Sequence, residues 1–129
     1  MNLSLEGKNA IICGSTQGIG LAIAEELALL GANCTLIARN EEALKAAVHN
    51  LDFALRQQHG YLVADFNDPE KVRKIIAAHV ALHPVHILIN NSGGPAAGPV
   101  IEATEEAFLN TFNQHLICNH ILTKAVVPS

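Results

Sequence analysis

Short apolar runs alternate along this chain with longer stretches whose apolar positions recur every three to four residues. Asn9 to Cys13 is the first run and reads as a buried strand. A helix follows to Leu30, with Ile19, Ala22, Ile23, Leu27 and Leu30 at helical spacing, and Gly31 stops it. Cys34 to Ala38 predicts a second strand. Asn40 then caps a second helix, with Glu41 and Glu42 in its first turn, running to about Gln58 before Gly60. Tyr61 to Ala64 predicts a third strand. Asp68 caps a third helix with Pro69 at its first position; Val72, Ile75, Ile76 and Val80 form its inner face, and Pro84 closes it. His86 to Asn90 is a fourth strand, apolar enough to be covered on both faces. After a loop of small residues from Asn91 to Pro99, Thr104 caps a last helix that continues to about Val127. Strand and helix thus alternate four times. That order predicts one α/β unit over residues 1–129, the first part of a doubly wound parallel, dinucleotide-binding sheet of the Rossmann type, with strand order 3-2-1-4.

The turn between the first strand and helix is Cys13-Gly14-Ser15-Thr16-Gln17-Gly18-Ile19-Gly20. A side chain on Gly14 or Gly18 would block a ligand from the backbone, and one on Gly20 would push the helix off the strand. The free N–H groups of a helix start favour a phosphate. No Lys-Ser/Thr pair follows the last glycine, so the turn is not a P-loop.

Composition narrows the partners. The chain has 129 residues, half of them hydrophobic, with few aromatics and no Trp, so Ala, Leu, Ile and Val must fill the interior. A formal net charge of −4 argues against nucleic acid or an anionic membrane surface. Cys13, Cys34 and Cys118 are an odd number in apolar surroundings, as expected of reduced core thiols in a cytoplasmic protein. The amino terminus reads as lacking a signal peptide, and no apolar run approaches membrane-spanning length.

Three further positions fall at the carboxyl ends of strands. Ala38 leaves no acid to hold a ribose hydroxyl or repel a 2′-phosphate, and Arg39 offers a bidentate cation, so NADP(H) is expected over NAD(H); the alternative is a solvated arginine. Asp65 can accept from an adenine amino group or be satisfied by its own loop. Asn90-Asn91-Ser92-Gly93-Gly94 can tie strand ends together and admit a ribose or nicotinamide, or be a plain polar turn. His79 and His83 are four apart on the third helix, with His86 near, but no cysteine or acid completes a metal site; a solvated helix face and no bound metal are expected.

These residues resemble the short-chain dehydrogenase/reductase family. Its Gly-x-x-x-Gly-x-Gly pattern stands as Gly14, Gly18 and Gly20, its Asn-Asn-Ala-Gly motif as Asn90-Asn91-Ser92-Gly93, and its acid after the third strand as Asp65. The resemblance covers essentially the whole chain and looks most like reductases of the 3-oxoacyl-acyl-carrier-protein type. It implies hydride transfer between NADP(H) and a small-molecule carbonyl or alcohol substrate, with a 3-oxoacyl thioester as one substrate class, in a homo-oligomer. It assigns the cofactor to Gly14, Thr16, Gln17, Gly18, Ile19, Gly20, Arg39, Asp65, Phe66, Asn91, Ser92 and Gly93. Cys13 departs from the family's usual Thr, and Ser92 from its Ala. His115 stands where the family places an Asn that helps hold a proton-relay water. The family's catalytic Ser and Tyr-x-x-x-Lys belong to segments after residue 129; Tyr61, the only tyrosine, is followed four residues later by Asp65. The competing expectation is a non-catalytic nucleotide-binding fragment or interaction protein.

Overall fold

Alternate residues of the first strand point to opposite sides, and each side buries a different set of helices. In the computed structural model, which describes residues 2–91 and 98–128, the strands are β1 (Asn9–Cys13), β2 (Asn33–Ala38), β3 (Gly60–Val63) and β4 (Ile87–Ile89). They form one parallel sheet in the order β3-β2-β1-β4. The helices are α1 (Gly18–Leu29), α2 (Glu41–His49), α3 (Pro69–Leu82), α4 (Glu105–Phe112) and α5 (Cys118–Val126). Ala10 and Ile12 face α1 and α2, packing with Ala24, Ala28, Leu36 and Leu44. Ile11 and Cys13 face α3 and α5, packing with Val72, Ile76, Cys118 and Leu122. This is the period-two alternation of a strand buried on both faces.

Three helices begin at side-chain caps. Asn40, Asp68 and Thr104 accept from the backbone N–H groups of Ala43, Lys71 and Ala107 at 3.0, 3.3 and 3.0 Å. The second helix stops well before Gln58, at His49. Asp52 takes the N–H of Ala54 at 2.9 Å, a bond that competes with helix continuation. Arg56 sits at φ 61°, which no right-handed helix accommodates. The loop is held instead by its side chains. Gln57 Nε2 donates to the Ala28 carbonyl at 2.6 Å. His59 accepts the Cys34 N–H on Nδ1 at 3.0 Å and so donates from Nε2 to the Asp52 carbonyl at 2.7 Å.

The last helix is also not the single run that its spacing predicts. A π-turn over Asn113–Ile117 separates α4 from α5, with the Cys118 N–H reaching back to the Asn113 carbonyl. The extra residue re-phases the apolar positions. Cys118, Ile121, Leu122 and Val126 face the core, while Phe108, Leu109, Phe112 and Leu116 remain exposed. No described helix is long and apolar enough to cross a membrane.

All three cysteines are free and fully buried. Burial pushes the Cys13 thiol up to about 12 from its ordinary value of 9.0, against a smaller lowering by the Asn91 backbone N–H. The folded state therefore holds this proton where the unfolded chain releases it. The associated stability is intact below pH 9 and is lost as pH rises from there toward 12, by up to about 1.4 kcal/mol per pH unit. Urea midpoints at pH 8 and 10.5 should differ accordingly, and Cys13→Ala should lessen the alkaline slope, the remainder coming from Cys34 and Cys118, which burial raises to about 11.

Candidate functional site

The carboxyl ends of β1, β2 and β3 and the residues after β4 surround one cleft of about 560 Å³. Its floor is the glycine turn. The Gly14 N–H donates to the Ile37 carbonyl at 2.9 Å, fixing the end of β1 against β2. A Cβ on Gly20 would strike the Gly14 carbonyl and come within 2.8 Å of Asn91 Nδ2, so the third glycine lets α1 start directly against β1. A Cβ on Gly14 would meet the Asn91 carbonyl at 2.7 Å. The space saved at Gly14 is taken by the β4 end rather than by ligand room. Gly18 differs: its φ is 60° and a Cβ there would meet nothing within 4 Å.

α1 starts without a side-chain cap and without an acid in its first turn, unlike α2, α3 and α4. Its free N–H groups and positive dipole end remain uncompensated beside the cleft. Ser15 is fully buried there, and its hydroxyl has no hydrogen-bond partner among the described residues. An orphaned hydroxyl favours its removal, so Ser15→Ala should leave stability unchanged or raise it by about 1 kcal/mol in thermal or urea unfolding.

Asn91 Nδ2 donates to the Cys13 and Gly14 carbonyls at 3.3 and 3.2 Å, locking the end of β4 to the turn. The Asn91 backbone N–H also bears on Cys13, lowering its thiol value against the larger upward push of burial. Asn90 Nδ2 reaches Thr123 Oγ1 at 3.5 Å, and that hydroxyl donates to the Asn119 carbonyl at 2.8 Å. Asn119 Nδ2 in turn donates to the His115 carbonyl at 2.9 Å, within the π-turn.

Along the far wall, Arg39 and Asn40 follow β2, and Asp65 and Phe66 follow β3. Arg39 is exposed and belongs to none of the ion pairs among the described residues. Asp65 Oδ1 accepts the Asn67 N–H at 2.9 Å, a turn within its own loop, while the residue still lines the cleft. The Phe66 carbonyl accepts from the Cys118 thiol at 3.2 Å. The structure thus brings Gly14, Thr16, Gln17, Arg39, Asp65, Phe66 and Asn91 around one cavity. Ile19, in the first turn of α1, is 74% exposed and outside the cleft lining. Ser92 and Gly93 lie outside the described residues.

The sequence profile of the short chain dehydrogenase family matches residues 8–129. The chain belongs to this family. It is 39% identical, over 92% of its own length and 43% of the relative's, to a Streptomyces violaceoruber protein named for the ketoacyl reductase of the granaticin polyketide synthase. It is 31% identical, over 95% of itself and 38% of the relative, to the human inactive hydroxysteroid dehydrogenase-like protein 1. Among solved structures it is similar to L-sorbose reductase from Gluconobacter frateurii complexed with NADPH and L-sorbose. That likeness has a TM-score of 0.89 at 30% identity, covering 99% of this chain and 49% of that one. The chain spans less than half the length of the curated relatives it matches.

One residue of the site is not legible in the sequence of this family member. Gln114 lines the cleft and donates from Nε2 to Asn67 Oδ1 at 2.8 Å, closing the wall between the β3 loop and the π-turn. Its spacing is helical like its neighbours', and only the re-phased turn aims it inward. His115 follows it in that turn and is exposed, outside the cleft lining. Among the described residues, no group of three or more His, Cys, Asp or Glu could hold a metal ion.

Proposed function

We propose that this chain is the nucleotide-binding part of a cytoplasmic carbonyl reductase that uses NADP(H) in preference to NAD(H). The observation that carries the reading is the uncapped start of α1, with open space at Gly18, facing a cleft whose opposite wall carries Arg39 and no acid at position 38. These residues fit the cofactor. The turn from Gly14 to Gly20, with Thr16 and Gln17, would hold the pyrophosphate, and Arg39 the 2′-phosphate. Asp65 and Phe66 would receive the adenine, with Asn91, Ser92 and Gly93 on the ribose and nicotinamide side and Ile19 adding apolar contact. When bound, the nicotinamide supplies a hydride for a carbonyl carbon or accepts one from an alcohol.

The protein's own task is orientation. The bonds from the part-buried Asn91 side-chain amide to the Cys13 and Gly14 carbonyls fix the glycine turn relative to the end of β4. His115, in the π-turn, stands where the family places its relay Asn, and an imidazole can hydrogen-bond a water there. A 3-oxoacyl thioester is the substrate class we favour, supported by the likeness to the ketoacyl reductase relative. The exposed apolar row on α4 supports association with a second copy.

A second reading has its own support: one relative, 31% identical, is named as inactive. Under it the chain binds nucleotide without reducing a carbonyl. Calorimetric titration with NADPH tests the shared core of both readings. Wild type should bind, and Gly18→Val, placed at φ 60° beside the phosphate position, should weaken binding at least about a hundredfold while circular dichroism stays native-like. Equal affinity in the two proteins would remove the nucleotide reading. NADPH consumption with a 3-oxoacyl thioester by the natural gene product then separates reductase from binder.

A further inference from the structure

A second cleft, of about 330 Å³, opens on the opposite edge of the sheet. It is lined by the first residues of three strands, Asn9, Asn33 and Gly60, together with Tyr61, His79 and His83. His79 is in the last turn of α3, and His83 is its C-cap residue. Their ring centres are 5.0 Å apart with the planes tilted by 36°.

We propose that His79 and His83 form a two-imidazole site for a divalent ion of the Zn²⁺, Ni²⁺ or Cu²⁺ class. The spacing fits such an ion. With metal–nitrogen bonds of about 2.0–2.1 Å, and about 1.1 Å more from nitrogen to ring centre, two imidazoles at a roughly tetrahedral angle have centres about 5 Å apart. The ring nitrogens are available. His59, in the same cleft, engages both of its nitrogens, and His86 Nδ1 accepts the Asn9 N–H at 2.9 Å. The imidazoles of His79 and His83 make no hydrogen bond to another described residue in the contacts of this cleft.

The rest of the lining selects the ion. It contains no carboxylate, so it lacks the hard oxygen ligands that magnesium and calcium require. Imidazole is the ligand that zinc, nickel and copper accept, and water completes the coordination. The amide oxygens of Asn9 and Asn33 are already used, by Asn33 Nδ2 and by the Gln58 N–H.

The chain carries its own reporter. Tyr61 is its only tyrosine, there is no tryptophan, and Tyr61 lines this cleft. Cu²⁺ bound at the histidine pair should therefore quench tyrosine emission saturably at one equivalent, and excess Zn²⁺ should restore it. His83→Gln, an exposed change at the helix end, should weaken Cu²⁺ binding at least about tenfold, the scale of losses seen for single changes around a metal. His79→Gln should do the same, whereas His49→Gln on α2 should leave the titration unchanged. Circular dichroism confirms that each variant is folded, and His83→Gln decides the matter if His79→Gln is not. No saturable quenching, or equal quenching in wild type and His83→Gln, overturns the proposal.

Discussion

Gly20→Ala is expected to destabilise the protein by about 3 kcal/mol or more, a large share of the 5–15 kcal/mol typical of a folded domain. The reason is steric and local. The added methyl would overlap the Gly14 carbonyl and crowd Asn91 Nδ2. The first of these is backbone in the turn leaving β1, so no side-chain rotation can relieve it. Either α1 moves away from the sheet, uncovering Ala24 and Ala28 beside Ile12, or the turn shifts and releases Asn91. Urea unfolding followed by circular dichroism reads the loss directly. A midpoint within experimental error of wild type would show that α1 can slide without consequence. Gly18→Ala is the contrasting control. Its methyl meets open space, so its only cost is the left-handed backbone, about 1 kcal/mol.

The second large effect concerns cofactor choice. Arg39→Ala should reduce NADPH affinity about tenfold to a hundredfold, about 1–3 kcal/mol, and leave NADH affinity nearly unchanged. Arg39 lines the cleft, has no ion-pair partner among the described residues, and follows Ala38 where an acid would oppose a phosphate. Because the guanidinium is exposed, the preference should shrink as salt is raised. Paired titrations with the two cofactors at low and high ionic strength test this. Equal affinities in wild type would make Arg39 a solvent-facing residue with no part in selection.

The strand order and the two-sided core follow from patterning that a reader can see. β1 and β2 are short apolar runs, and the three capped helices start at the residues that Asn40, Asp68 and Thr104 mark. The glycine turn was legible because its residues serve a local geometry of strand, turn and helix. Two features were not. The end of α2 depends on Gln57 and His59 making bonds to atoms of distant segments, the Ala28 carbonyl and the Cys34 N–H, which spacing along the chain does not encode. The π-turn depends on one backbone bond, from Cys118 to Asn113, in a stretch whose composition is ordinary for a helix. Gln114 was hidden for the same reason. Gly14 was legible as a required glycine, but its contact with Asn91 appears only once β4 lies beside β1.

The order of the sheet also sets an order of assembly. β1 sits in the middle, with β2 on one side, yet its other neighbour is β4. At their amino ends, Asn9 and His86, 77 residues apart in the chain, exchange hydrogen bonds: the Asn9 N–H goes to His86 Nδ1 and the His86 N–H to the Asn9 carbonyl. During synthesis the first strand leaves the ribosome early and can pair with β2 as soon as α1 has formed. Its other edge, along Ala10, Ile11 and Ile12, must wait for the segment around Ile87 to Ile89. For that interval the growing chain carries an open apolar edge, the kind of surface that chaperones hold and that crowded chains use to pair wrongly. Slowing translation between residues 40 and 86 would lengthen this exposure. The yield of soluble protein is therefore tied to the speed at which that stretch is made.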